Sequence, residues 1–277
     1  MKISHKILGK DARIFSDGFT MNVFTRIMSI YCTTDSTLTG KSGVGKPGEW
    51  ARVLSGIDQI TPFDNFNIAP TMLNPTKLTG DLKLMSAFLK QAKTIVGIGN
   101  SPRNYSQVVA IKDNALVATD GFRLMYTDNA IPGATADIMI PAIVIAPLAK
   151  LLEQADYMAV SECGTTLEIR GLDFSAFVRL ATVKYPAYRS VLPISRELVK
   201  IEEIADIAPI IAQATLVKKA TKLPSERQFK LFGLCWDAAF LADLTGGVAR
   251  LFGNEILEVQ HEGITTIILN IPEGKAA

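Results

Sequence analysis

The 277-residue chain has few of the side chains that carry most enzyme chemistry: three cysteines (Cys32, Cys163 and Cys235) and two histidines (His5 and His261). An odd number of thiols without a C-x-x-C pair encodes neither a disulfide framework nor a four-thiolate zinc site, so the cysteines are expected in the core. Two histidines leave little material for metal ligation or proton transfer. The chain has no G-x-S-x-G, H-E-x-x-H or EF-hand loop. No enzyme, cofactor or metal centre is therefore expected. Charge is also sparse, at 20% of residues against about 25% in typical domains. With 29 Lys and Arg against 27 Asp and Glu, the net charge is +2, so attraction to a polyanion has to come from how the cations are arranged. Long apolar runs are missing too. The uncharged stretch Ile138 to Ala149 is 12 residues and holds Pro141 and Pro147, short of the roughly 18 residues a membrane span needs. The start, Met1 to Lys6, leads into alternating residues rather than an apolar signal segment. An intracellular, cytoplasmic protein is expected.

Apolar residues, by contrast, make up 48% of the chain, which excludes disorder and allows a large core; the length suits about two domains. One pattern recurs, a strand and helix followed by three short strands. Its clearest copy, 136–181, has a strand at Asp137 to Ile140 and helical spacing through Ile145, Leu148, Leu151 and Leu152. Strands follow around 157–163, 167–170 and 174–180, separated by Gly164-Thr165-Thr166 and Gly171-Leu172-Asp173. An earlier copy begins near Leu78, with Leu82, Met85, Phe88 and Leu89 at helical spacing and strands at 105–111, 116–119 and 123–126. A third begins near Phe229, with a strand to Cys235, a helix over 236–244 and strands at 248–252, 256–261 and 265–271. Each unit has one apolar sheet face and one amphipathic helix, so two units side by side bury both, giving an α+β fold with helices packed as pairs on one face of antiparallel sheets. Residues 196–228 supply a helix, with Asp206 placed to cap it and Pro209 in its first turn, but no clear strands. Residues 1–77 hold strand-like stretches (3–8, 13–15, 23–31) and a helix near Trp50 to Ile57, and they form no clean repeat.

Gly40 to Lys46 matches the first seven positions of a phosphate-cradling P-loop, but Pro47 stands where a magnesium-binding hydroxyl is needed, and an ordinary loop explains it better. Gly97-Ile98-Gly99 lacks the third glycine of a dinucleotide site and reads as a helix stop. Glu202, Glu203 and Asp206 suit a helix N-terminus, where the dipole favours acids. Among the cations, Lys83, Lys90 and Lys93 belong to one expected helix, Lys150 to another, and Lys218, Lys219 and Lys222 to the end of a third. Lysine at a helix C-terminus is favourable without any ligand, so a phosphate-facing role requires these helices to share a surface.

Ala118-Thr119-Asp120-Gly121-Phe122-Arg123-Leu124, followed by Lys184-Tyr185-Pro186-Ala187-Tyr188-Arg189-Ser190-Val191-Leu192-Pro193, resembles two motifs of the bacterial DNA polymerase III β subunit, the replicative sliding clamp: A-T-D-G-H-R-L and F-P-D-Y-R-R-V-L-P. Phe122 stands for the family's His, Ala187 for Asp and Ser190 for Arg. The resemblance implies a shortened or divergent member with the DNA-clamp fold, divided into a divergent, shortened N-terminal clamp-like domain (1–77), a middle clamp domain (78–193) and a shortened C-terminal clamp domain (194–277). It implies no bond-breaking activity. It implies a homo-oligomeric ring around duplex DNA, a dimer in preference to a trimer, serving a DNA polymerase and a clamp loader in DNA replication as a processivity factor. The helix lysines named above, with Arg103 and Tyr105, would face DNA. A partner peptide would enter a pocket of Thr119, Gly121, Phe122, Arg123, Leu124, Pro186 and Val191, closed by Leu269 and Ile271. The alternative is a clamp-like protein that binds replication partners without encircling DNA.

Overall fold

The computed structural model describes residues 2–4, 13–16, 20–24, 28–33, 37–40, 43–45, 72, 74–97, 104–134, 136–221 and 226–270. The expected helix at 50–57 lies outside these residues, as do Lys46 and Pro47 of the P-loop-like stretch. In chain order the strands are β1 (Lys2–Ser4), β2 (Arg13–Ser16), β3 (Thr20–Phe24), β4 (Met28–Thr33), β5 (Thr37–Gly40), β6 (Gly43–Gly45), β7 (Thr76–Leu78), β8 (Val108–Lys112), β9 (Ala115–Thr119) and β10 (Arg123–Thr127). They continue with β11 (Ile138–Pro141), β12 (Tyr157–Val160), β13 (Thr166–Gly171), β14 (Phe174–Arg179), β15 (Lys200–Ile204), β16 (Gln228–Leu231), β17 (Leu234–Asp237), β18 (Val248–Phe252), β19 (Ile256–His261) and β20 (Ile264–Leu269). Four α-helices are described: α1 (Leu82–Ala92), α2 (Ile145–Leu152), α3 (Ala208–Ala220) and α4 (Ala238–Ala242).

The recurring unit is present three times, as β7-α1-β8-β9-β10, β11-α2-β12-β13-β14 and β17-α4-β18-β19-β20. Local chemistry sets its boundaries. Asp81 Oδ1 accepts from the Lys83 and Leu84 amides at 2.8 and 3.0 Å and starts α1, whose Met85, Phe88, Leu89 and Ala92 are buried at helical spacing. Asp113 and Asn114, at φ 51° and 65°, close the β8–β9 hairpin, the left-handed pair that a two-residue turn requires. Asp237 accepts from the Ala239 amide at 2.7 Å and caps α4.

The chain forms two compact units: residues 1–89, 111–114 and 130–182 in one, and 90–110, 115–129 and 183–277 in the other. In the first, an antiparallel sheet runs β2-β3-β4-β14-β13-β12-β7. There α1 and α2 meet through the buried Ser86 hydroxyl, which donates to the Ala149 carbonyl at 2.7 Å. In the second, the strand order is β8-β9-β10-β20-β19-β18-β15. There α3 and α4 pack together over a core of Ile207, Ala214, Trp236, Leu241, Leu251, Leu257 and Ile268. Residues 78–193 contribute to both units. The ladder does not stop at the segment boundary: β10 pairs directly with β20, Leu124 opposite Ile267.

Several local expectations change. Residues 196–228 contain a strand after all, β15, which is exposed except at its last residue and pairs with β18 through a bulge; charged Lys200, Glu202 and Glu203 mask it in the sequence. Glu202 and Glu203 lie on that strand rather than at a helix start, and Arg250 and then Lys200 hold the Glu203 carboxyl below the usual carboxylate range. Asp206 does serve α3, accepting from the Ala208 amide at 2.9 Å. The single strand expected at 229–235 is a hairpin, β16–β17, turned by Phe232 and Gly233 at φ 54° and 71°. Gly40 and Gly43 face each other across the β5–β6 hairpin, which is not the strand-to-helix loop of a nucleotide site.

Cys235 is buried as expected, but Cys163 is exposed, because it sits in the turn between β12 and β13. Its Sγ lies 2.9 Å from Thr165 Oγ1 and 3.4 Å from Ser161 Oγ, and those hydrogen bonds lower its pKa to about 7. Alkylation of Cys163 by iodoacetamide is expected to reach half its limiting rate near pH 7, against about 8.5 for an unperturbed thiol. In the Ser161→Ala/Thr165→Ala variant, mass spectrometry should show that midpoint moving up.

Candidate functional site

Between β9 and β10 the chain turns through Asp120-Gly121-Phe122, and its own polar groups fix that loop. Asp120 Oδ1 accepts from the Phe122 and Arg123 amides at 2.9 and 2.7 Å. The buried Thr119 hydroxyl donates to the Arg123 carbonyl at 2.6 Å and accepts from the Gly121 amide at 3.1 Å. Gly121 takes φ 94°, a conformation that side chains disfavour. The end of β20 joins the same loop, since the Leu269 amide donates to the Phe122 carbonyl at 3.1 Å. Thr119, Gly121, Phe122, Arg123, Leu124 and Leu269 are thus brought together, with Leu124 buried and Phe122 43% exposed.

Arg123 is only 4% exposed, and its guanidinium is answered on several sides. Nε donates to Asp120 Oδ2 at 2.9 Å, Nη1 to Asp243 Oδ2 at 2.8 Å and Nη2 to the Thr94 carbonyl at 2.8 Å. Its Cζ lies 4.3 Å from the centroid of the Phe240 ring, within cation–π range, and Phe240 in turn lies 6.4 Å from the Phe122 ring. Asp243, at the C-terminal end of α4, also receives Lys218 Nζ on its other oxygen at 2.7 Å. Neither Phe240 nor Asp243 stands out in the sequence: each is more than a hundred residues from the loop it supports and belongs to no motif. The Asp-x-x-Arg spacing inside the loop is the single local sign that Arg123 turns inward.

The second motif is held by aromatic packing. Tyr185 is buried and meets Tyr105 edge-on at 6.3 Å; burial, then the neighbouring Tyr105 and Tyr188, push its hydroxyl far above the ordinary phenol range. Tyr188, buried too, lies 6.1 Å from the Tyr126 ring of β10. Arg189 pairs with Asp128 at 3.0 Å, just beyond that strand. Pro186 and Val191 are exposed on this tethered segment. Both motifs are therefore anchored to β10, the first at its start and the second at its far end. Tyr105, one of the residues expected to face DNA, is half-buried against Tyr185.

The lysines divide into two groups. Lys83, Lys90, Lys93, Lys150 and Lys219 are exposed, and Lys218 is half-buried against Asp243. The four described helices contain five lysines (Lys83, Lys90, Lys150, Lys218 and Lys219) and no Asp or Glu. Arg103, Lys222 and Ile271 lie outside the described residues. Among the described residues, no group of three His, Cys, Asp or Glu is placed to hold a metal ion.

The chain is similar to several solved bacterial structures. The DNA polymerase sliding clamp of Pseudomonas aeruginosa with ligand superposes with a TM-score of 0.65 at 12% identity, covering 95% of this chain and 92% of that one. That of Bacillus subtilis gives 0.65 at 13% identity over 96% and 92%. The Helicobacter pylori β clamp bound to a DNA ligase peptide gives 0.61 at 15% identity over 94% and 91%. No family model and no curated protein matches the sequence. The chain has the α+β fold of the DNA polymerase III β sliding clamps, as the two motifs implied.

Removing Asp243 leaves Nη1 of the buried Arg123 without its acceptor while Asp120 still pairs Nε, a change of a kind that loses roughly 1–3 kcal/mol of stability. Asp243→Ala is expected to lower the urea midpoint sharply. Lys218→Ala, which removes a partly exposed partner, is expected to lose less than about 1 kcal/mol.

Proposed function

We propose that the protein is a sliding clamp: a homo-oligomeric ring, a dimer in preference to a trimer, that encircles duplex DNA in the cytoplasm and tethers a DNA polymerase, with a clamp loader to open it. The role needs no catalytic group, because a closed ring leaves DNA only by opening or by reaching an end. It does need a cationic lining that holds phosphates weakly and without regard to sequence. The observation that carries the reading is the restriction of charge on the described helices to one sign. Lys83, Lys90, Lys93, Lys150 and Lys219, with Arg103 and Lys222, would supply the lining. Lysine suits this work as a compact point charge that does not lock onto a phosphate with the two-pronged geometry of arginine.

The partner would dock at the loop 119–124. Phe122 is the exposed side chain of a loop whose backbone is already fixed, so an incoming peptide meets a preformed apolar surface. Leu124, Pro186, Val191, Leu269 and Ile271 would complete the slot. Gly121 is there for its backbone and Thr119 for the loop's internal hydrogen bonds. The guanidinium of Arg123 is held within the fold, so its part is to support the loop and not to offer charge to the peptide.

Mass in solution combined with retention on DNA tests the reading. A multimer is expected, retained on nicked circular duplex and lost when the circle is cut. A monomer that holds circular and linear DNA equally would sink it and leave the partner-binding protein that encircles nothing. Lys83→Ala and Lys219→Ala are each expected to reduce the slope of log K against log salt concentration by up to about 0.9; a protein that does not use its helices on DNA would show no such change.

A further inference from the structure

Asp243 stands between the two surfaces just described. One of its oxygens holds Lys218 of α3 at 2.7 Å and the other holds Arg123 beneath the loop at 2.8 Å. The Lys218 side chain is 39% exposed and the Asp243 side chain 19%, so a phosphate can approach the ammonium without opening the core. With Asp120 the group comprises two carboxylates and two cations, all in the second compact unit. Its charges balance only while Lys218 stays on Asp243.

The geometry points to Asp243 as a shared counter-ion that couples the lysine helix to the docking loop, which makes it a positioning residue for both. This rests on the DNA-binding reading of the helices. A DNA phosphate competes with Asp243 for Lys218. Once Lys218 is drawn to phosphate, the whole Asp243 carboxylate falls to Arg123. Arg123 then sits more firmly, and through Asp120 so do the Phe122 and Arg123 amides that Asp120 Oδ1 holds. DNA therefore tightens the loop that carries Phe122. Reciprocity requires that any ligand stabilising the loop raise the affinity for DNA by the same factor. The ion pair also withholds one helix charge from the lining until DNA is present.

Hydrogen exchange of the intact chain tests this, read on a fragment spanning residues 118–126, with and without a saturating 40-bp random-sequence duplex. Saturating duplex is expected to slow exchange of the Phe122 and Arg123 amides about twofold to fivefold, the range for a partly exposed ion pair. Lys218→Met, which keeps Arg123 paired, is expected to abolish that response. Asp243→Asn, which keeps the side-chain shape, should abolish it and also bind the duplex more tightly than wild type, since Lys218 is released. Wild type that binds DNA with unchanged exchange would overturn the coupling alone, as would a response that survives in Lys218→Met. Absence of any salt-dependent DNA binding by wild type would overturn the coupling together with the proposed function.

Discussion

A guanidinium cannot be buried without being answered, and the arrangement around Arg123 follows from that requirement. Its fork geometry needs acceptors in fixed directions, and the fold supplies them from three separate places: Asp120 in the loop, Asp243 at the end of α4 and the Thr94 carbonyl after α1. These places become neighbours only when β10 has paired with β20 and α4 lies beneath them. The same contacts leave Phe122 exposed on a rigid loop and tie Lys218 to the interior. One buried cation thus accounts for the convergence of Asp120 and Asp243, for the placement of Phe240 beneath the loop and, through Asp243, for the tether on one expected lysine.

Helix charge is arranged under a second constraint. The dipole favours acids in the first turn and cations in the last. The described helices accept the second preference, with Lys90, Lys150, Lys218 and Lys219 in final turns, and decline the first within their own length. The positive ends are satisfied instead by aspartates just outside: Asp81 before α1, Asp206 before α3 and Asp237 before α4. Asp237 makes its bond although burial raises its pKa above the ordinary aspartate value. The helices keep their capping energy while their length carries charge of one sign. Stability alone does not require such a pattern, since an acid in a first turn would add to it.

The repeated unit was legible because its signals are local. Asp113-Asn114, Gly164 and Gly171 punctuate the strands, and helical spacing marks the buried stripe of α1. The loop 118–124 was legible as a motif for the same reason, as its Asp, Gly and Arg act on one another within four residues. What stayed hidden depends on contact across the chain. Strand β15 has no apolar alternation to announce it, since it lies at a sheet edge and is largely exposed. The β16–β17 hairpin turns on a phenylalanine at positive φ, which propensity disfavours. Phe240 and Asp243 gain their meaning from residues more than a hundred positions away. Cys163 escapes a thiol's usual burial because the turn residues around it, Ser161, Gly164 and Thr165, hold it at the surface.

Identities of 9–15% are enough for the clamp fold because the fold depends on hydrophobic rhythm and caps, which many sequences satisfy. Recognition depends on side chains, which a shared fold does not transmit. Phe122 makes the difference concrete. The backbone at this position is set by Asp120, Thr119 and the Leu269 amide, none of which senses what side chain residue 122 carries. Exchanging the imidazole of the related motif for a phenyl ring removes a hydrogen-bond donor and acceptor and adds apolar area beside Phe240, while the loop keeps its shape. The same scaffold then presents a different chemistry, an apolar ring where the related motif has a hydrogen-bonding one.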